Sequence, residues 1–424
     1  MKASTLPLFL IGNRRTTLDV ARSPWSPLIG VLFVLSAGLA REYDGEYLLL
    51  EPWHALRPLG ASLASGTLLF LIVHLAAIIR GDSADANERP PLFETYFSWM
   101  GLFWMTAPMA WLYAIPYERW MSPETAIEWN LLTLAFVAAW RVVLITRVVV
   151  VVYGVNPVPA FFLVMLFADA VVIAVLGIAP LPVIDVMGGV RGPAREQLIG
   201  AIALNTGLLA ILSAPIWILG SLISVAVFWP SWPVAIHPRP IRSRGLLIVA
   251  GVSIVAFAPL LLWAQPEQAL RHRVERLMLS GQVAEGLAAM SAQTHGDFPP
   301  AYNPPPRLGY RESDPAMDSV RQAMREQWPA EWVAEAYLFK TRREIGTRFF
   351  DDPTRDGFAH SLQDGAGDWA VDRAPELLGA FQFLVDFDDA LPEENRAAIR
   401  DFLEAAAAHE ADQVSPSDAS AGPT

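Results

Sequence analysis

The chain has no cysteine. Disulfides and thiolate metal sites are therefore excluded, and cysteine usage says nothing about the redox compartment. Lysine is almost missing as well: Lys2 and Lys340 are the only two, and arginine carries the remaining positive charge. With abundant alanine and proline, this suggests a GC-rich bacterial genome. Charge of either sign is scarce, at 17% of residues against 53% hydrophobic. What charge there is divides unevenly. Residues 1–265 hold 16 basic and 15 acidic side chains, whereas residues 266–424 hold 15 and 28. The acidic part argues against nucleic acid and anionic lipid as partners, since both select clustered Lys and Arg. Catalytic signatures are also missing. There is no H-E-x-x-H, no Walker-type G-x-x-x-x-G-K, no dinucleotide fingerprint and no G-x-S-x-G. His295, His360 and His409 have no histidine partner at helical spacing. No cofactor is implied, and an enzyme is the least supported reading.

What is present is apolar sequence in blocks. A bilayer core about 30 Å thick demands such blocks, and a soluble core cannot hide several of them. Seven stretches qualify: residues 23–40, 61–79, 96–115, 129–152, 159–181, 198–229 and 245–264. The stretch 198–229 is long for one crossing but lacks a dividing polar turn. It reads as a single tilted helix kinked at Pro215. The expected fold is all-α: a polar basic segment (1–22), a polytopic bundle of about seven spans (23–265), an acidic helical soluble domain (266–410) and a disordered tail (411–424).

Basic residues in short loops set the orientation. With the N-terminus inside, Lys2, Arg14, Arg15, Arg22, Arg80, Arg89, Arg147, Arg239, Arg242 and Arg244 fall on the inner side. Arg41, Arg57, Arg119, Arg191 and Arg195 fall outside. This predicts a bacterial inner-membrane protein with a cytoplasmic N-terminus and an extracytoplasmic C-terminal domain. Arg271, Arg273 and Arg276, just past the last span, pull the other way.

Five polar residues inside spans are candidate site residues: His74, Arg141, Arg147, Asp169 and Asn205. A mid-bilayer charge costs about 2.5–3.5 kcal/mol to insert, so it tends to be paired or functional. Arg141 and Asp169 lie at matched depths either side of the turn at 154–157, which predicts an ion pair clasping the fourth and fifth spans. A proton or ion path that includes His74 is the functional alternative. Arg147 is expected to snorkel towards the cytoplasmic end, and Asn205 to bridge helices.

In the acidic part, Leu270, Val274, Leu277 and Met278 form one helical stripe. Gly281 allows a turn, and Val283, Leu287 and Met290 resume the spacing, which predicts a helical hairpin. A Pro-rich connector follows at 298–306, with helices at 315–326, 329–345, 375–389 and 392–409. Asp352, Thr354, Asp356, Gly357 and Gln363 fit a calcium-loop spacing except that Gln363 stands where a bidentate glutamate is needed. A solvated acidic loop is the reading there, and no metal is implied. The leading functional expectation is a membrane anchor, scaffold or assembly subunit that binds a protein partner through residues 266–410, with the bilayer as its other partner. The alternative is a transporter or channel subunit using Arg141, Asp169 and His74.

Overall fold

The structure, a computed structural model, describes residues 2–80, 91–178, 193–228, 243–300, 302–306, 315–337, 340, 400 and 404. Among them there are helices and turns and no strand. The calcium-like spacing at 352–363 and the helix expected at 375–389 lie outside the described residues, as does all of 392–409 except 400 and 404. The chain divides into two compact units, Met1–His272 with Gly296–Tyr302, and Arg273–His295 with Asn303–Thr424.

Five helices are long and apolar enough to cross a membrane: Trp53–Ile79, Thr125–Tyr153, Pro157–Ala174, Asn205–Phe228 and Arg244–Leu279. A sixth is added if the bent pair Arg14–Ala21 and Ser26–Glu42, inclined at 106°, counts as one. The protein is thus an all-α, multi-pass membrane bundle. Two of the seven expected spans are not simple crossings. The stretch 23–40 becomes α3 (Ser26–Glu42), preceded at a sharp bend by α2 (Arg14–Ala21). The stretch 96–115 is broken. Its first half is α5 (Leu92–Trp104), about 20 Å long at the helical rise and too short for the bilayer core. Its second half is a 3-10 helix, Ala107–Ala114.

The break has a local cause. Pro108 has no amide to give the Trp104 carbonyl. Thr106 turns its hydroxyl onto the Phe103 carbonyl at 2.7 Å, and its amide closes on the same oxygen at 3.2 Å. Even so, the segment follows α3 in step. Gly101 meets Ser26 and Trp104 meets Gly30. Further on, Trp111 Nε1 donates to Ser36 Oγ (2.9 Å) and Tyr43 Oη to the Ala114 carbonyl (3.1 Å).

Helix α3 is the centre of this unit. Ile29, Phe33, Val34, Ala37 and Ala40 are buried along it. It packs against α4 (Trp53–Arg80), against α5 with the 3-10 helix, and against α9 (Arg244–Ala256). At Gly38 the approach to α4 is so close that a Cβ would overlap the Ala55 carbonyl. Only glycine permits that contact, and it brings the start of α4 onto the last turns of α3. Near the N-terminus, α1 (Thr5–Leu10) adds Leu6 and Phe9 to the core.

Helix α6 (Pro123–Tyr153) starts at Ser122, whose Oγ accepts the Thr125 amide, with Pro123 in the first turn. It ends at Gly154, in the left-handed region at φ 67°. Asn156 Oδ1 then accepts the Val158 amide at 3.0 Å, opening α7 (Pro157–Ile178). The antiparallel pair expected from the 154–157 turn is present. Helix α7 packs more extensively on α8 (Pro193–Phe228) than on α6. As expected, α8 runs through Pro215 as a single long helix. Its partner face places Trp217 against Phe161 and Phe162, with ring centroids 5.9 and 5.8 Å away.

The last apolar helix extends further than expected. After Phe257 the chain continues as α10 (Ala258–Leu279), whose second half is polar. In the second unit, Gly281 (φ 81°) makes the turn into α11 (Val283–Ser291), giving the expected hairpin. Helix α12 (Met317–Glu326) follows, with Val320 and Met324 buried, and 331–337 are helical with Val333 and Tyr337 buried. The Pro-rich connector supplies carbonyl acceptors. Lys340 Nζ donates to those of Pro304 and Pro306 (the latter at 2.9 Å), and Tyr337 Oη to that of Pro305 at 2.6 Å. These bonds compensate the burial of a lysine that is 1% exposed.

Candidate functional site

The polar residues of the first unit gather in two places, both built on the C-terminal half of α3. The first is a cleft of about 640 Å³ within the helix bundle. Val34, Ala37 and Arg41 of α3 line it at helical spacing, and Arg141 of α6 lines it from across. Most other wall residues are small or apolar, with Ser62, Ser65 and Tyr113 adding hydroxyls. No carboxylate is among the lining residues. The Arg141 guanidinium lies 5.5 Å from the centroid of the Phe103 ring, and that of Arg41 lies 5.9 Å from Tyr113, both at cation–π range. Arg141 Nε is buried and has no hydrogen-bond partner. Arg141, with no carboxylate among the residues that line this largely apolar cleft, makes it a place that favours negative charge.

The second is a buried cluster where α3 ends. The 41–60 stretch reads from sequence as an acidic loop, but only 43–52 lies between helices. The shortened connection folds Glu42, Glu46 and His54 together. The Glu46 amide donates to the Glu42 carbonyl at 3.1 Å, adding a helical turn that keeps the two glutamates on one side. One carboxylate oxygen from each glutamate and a ring nitrogen of His54 lie within 4.8 Å of one another. Arg271 of α10 donates to Glu46 Oε2 at 2.8 Å. Gln265 Nε2 reaches the carbonyls of Tyr43 (2.8 Å) and Glu46 (3.0 Å), and Gln268 Nε2 reaches that of Asp44. These α10 side chains satisfy the backbone of a connection that would otherwise be buried without partners.

Beside them, Arg119 grips Glu267 through two nitrogens, at 3.1 and 2.6 Å, and lies 4.0 Å over the Trp263 ring. Burial opposes the Arg119 charge, but the Glu267 carboxylate more than offsets it, so its pKa is raised. The Asp44 carboxyl is held well above the usual carboxylate range, by burial first and then by the neighbouring Glu118 carboxylate. The Tyr43 phenol is raised too, by burial and by Asp44.

Of the five candidates from the sequence, only Arg141 lines the cleft. Asp169 does not pair with it: its Oδ2 accepts from Ser213 Oγ of α8 at 2.5 Å. The expected clasp between the fourth and fifth spans is therefore corrected to a hydrogen bond between α7 and α8. Helix rotation aims Arg141 at Phe103 and Asp169 at α8. His74 stacks on Phe70 at 5.0 Å with a buried, unpartnered Nδ1, outside the cleft. Arg147 donates to the Gly12 carbonyl at 3.1 Å, and Trp140 to that of Leu10 at 3.0 Å, so both tie down the N-terminal segment. Asn205 is exposed on α8.

Sequence reasoning missed Arg41, Glu42, Glu46, His54 and Arg271. The signal available was four acids and a histidine within 42–54, with Glu42 and Glu46 four apart. Nothing in the sequence says that this segment is buried. The protein is a multi-pass helical membrane protein with buried charged and polar residues consistent with an intramembrane charged site. Compared with protein-family models, with curated proteins and with solved structures, the chain finds no significant match.

Proposed function

We propose that the protein is a transporter or channel subunit of the bacterial cytoplasmic membrane that takes an anion into the cleft between Arg41 and Arg141. The observation that carries this reading is Arg141: a guanidinium in a membrane-embedded cleft, with a buried Nε that has no partner and no carboxylate among its neighbours in the wall. Leaving such a group dry and unpaired is costly, and an anion offsets that cost through charge-assisted hydrogen bonds. The apolar walls suit a solute that carries hydrocarbon beside its anionic group. Asp169 and His74 have no part in this reading, since neither lines the cleft. The anchor or scaffold reading rests on the acidic composition of 266–424.

The test is flux in proteoliposomes loaded with a panel of small anions: chloride, inorganic phosphate, acetate and benzoate. Wild-type protein moves at least one of them faster than empty liposomes. Arg141→Gln loses charged hydrogen bonds worth about 1.5–3 kcal/mol, so apparent affinity falls roughly 10- to 100-fold. Arg141→Lys retains part of it. No anion flux above empty liposomes, together with no anion-dependent shift in melting temperature, removes the proposal.

A further inference from the structure

We infer that Glu42, Glu46 and His54 form a binding site for one divalent first-row metal ion, such as zinc or manganese. The site is separate from the anion cleft and does not depend on it. Two carboxylates and an imidazole are a donor set that these cations accept without thiolate. The three donor atoms already lie within 4.8 Å of one another. Round a metal at about 2.1 Å, such atoms stand about 3–4 Å apart, so the side chains need to draw in by only about an ångström.

Proximity of acids alone is common, and His54 supplies the independent observation. The residue is 7% exposed, and its Nδ1 is buried with no hydrogen-bond partner. A buried imidazole nitrogen without a partner is costly unless something takes its lone pair. The Glu51 carboxylate lies 3.4 Å from Nε2, which favours the proton there and leaves Nδ1 as the donor nitrogen. Arg271 holds the Glu46 carboxylate from α10 at 2.8 Å. The backbone holds the set in place. Gly38 lets the Ala55 carbonyl onto α3, and His54 and Glu42 then meet one helical turn further along. A metal here would fasten the α3–α4 connection to α10 through Glu46 and Arg271.

The experiment uses the full-length protein in detergent, purified through a tag free of histidine and stripped with a chelator. It is then dialysed against zinc or manganese and analysed by elemental mass spectrometry. The expected result is about one equivalent of metal and a higher melting temperature, both reversed by chelator. Glu42→Gln and His54→Gln each lower metal affinity more than about tenfold. Cobalt substitution of the wild type gives visible absorption bands of a nitrogen- and oxygen-ligated ion, a readout that needs no variant to fold. Absence of stoichiometric metal and of cobalt bands overturns the proposal. So does full metal retention in the Glu42→Gln/His54→Gln double variant.

Discussion

Asp169 and Ser213 make a hydrogen bond between α7 and α8 that can be tested by deletion from each side. Ser213→Ala removes the donor and leaves a buried carboxylate, which costs about 1–3 kcal/mol. Asp169→Asn removes the charge and keeps an acceptor, so it costs less. Denaturation of the purified variants in detergent checks the ranking; equal losses count against it. The same contact decides a charge exchange. Because Arg141 and Asp169 face different neighbours, the double variant Arg141→Asp, Asp169→Arg recovers nothing lost by the single variants. Abundance of a fluorescent fusion reads this directly, and recovery to wild-type level would restore the ion pair that the spacing predicts. The residue types at these positions are legible in the sequence, as intramembrane charges at equal depth. Their partners are not, since a rotation of a helix about its axis changes the neighbour without changing depth.

At the scale of elements, α3 acts through its small residues. Gly38 sits where the Ala55 carbonyl approaches, so Gly38→Val forces α4 away and costs about 1–3 kcal/mol by overpacking. It also separates His54 from Glu42, so metal affinity falls with stability. Gly60, on α4 with nothing within 4 Å of a Cβ, is the control. Gly60→Ala is stabilising by about 0.5–1 kcal/mol through helix propensity. Melting temperatures of the two variants with and without metal check this pair, and a harmless Gly38→Val contradicts the packing account. The broken segment 96–115 teaches a related lesson. Hydropathy marks it as a span and Pro108 as a kink, but the 3-10 conformation of 107–114 depends on docking along α3.

For the whole molecule, the lack of cysteine becomes an experimental convenience. Single cysteines placed at exposed Ser4 and Gln282 can be labelled with a membrane-impermeant maleimide without background. On the seven-span tally of arginines, Gln282→Cys is expected outside and Ser4→Cys inside. Intact cells then label the former, and the latter only after permeabilisation. The reverse pattern inverts the orientation and moves the Glu42–His54 cluster to the cytoplasmic side. Five or six apolar helices in place of seven do not alter the class of molecule, because α5 with its 3-10 extension still lies along α3.

The sequence by itself determined that this is an all-α membrane protein, where most apolar helices lie, and that Gly154 and Gly281 end two of them. Each of these follows from composition, period or backbone freedom within one segment. It also placed charge inside the bundle. Only the tertiary structure decided what those charges meet. Arg141 shares a cleft with Arg41, Asp169 turns to Ser213, and the acids of 42–46 close on His54 under α10. These outcomes depend on helix rotation and on burial of a short connection, which arise from contacts between segments far apart in the chain.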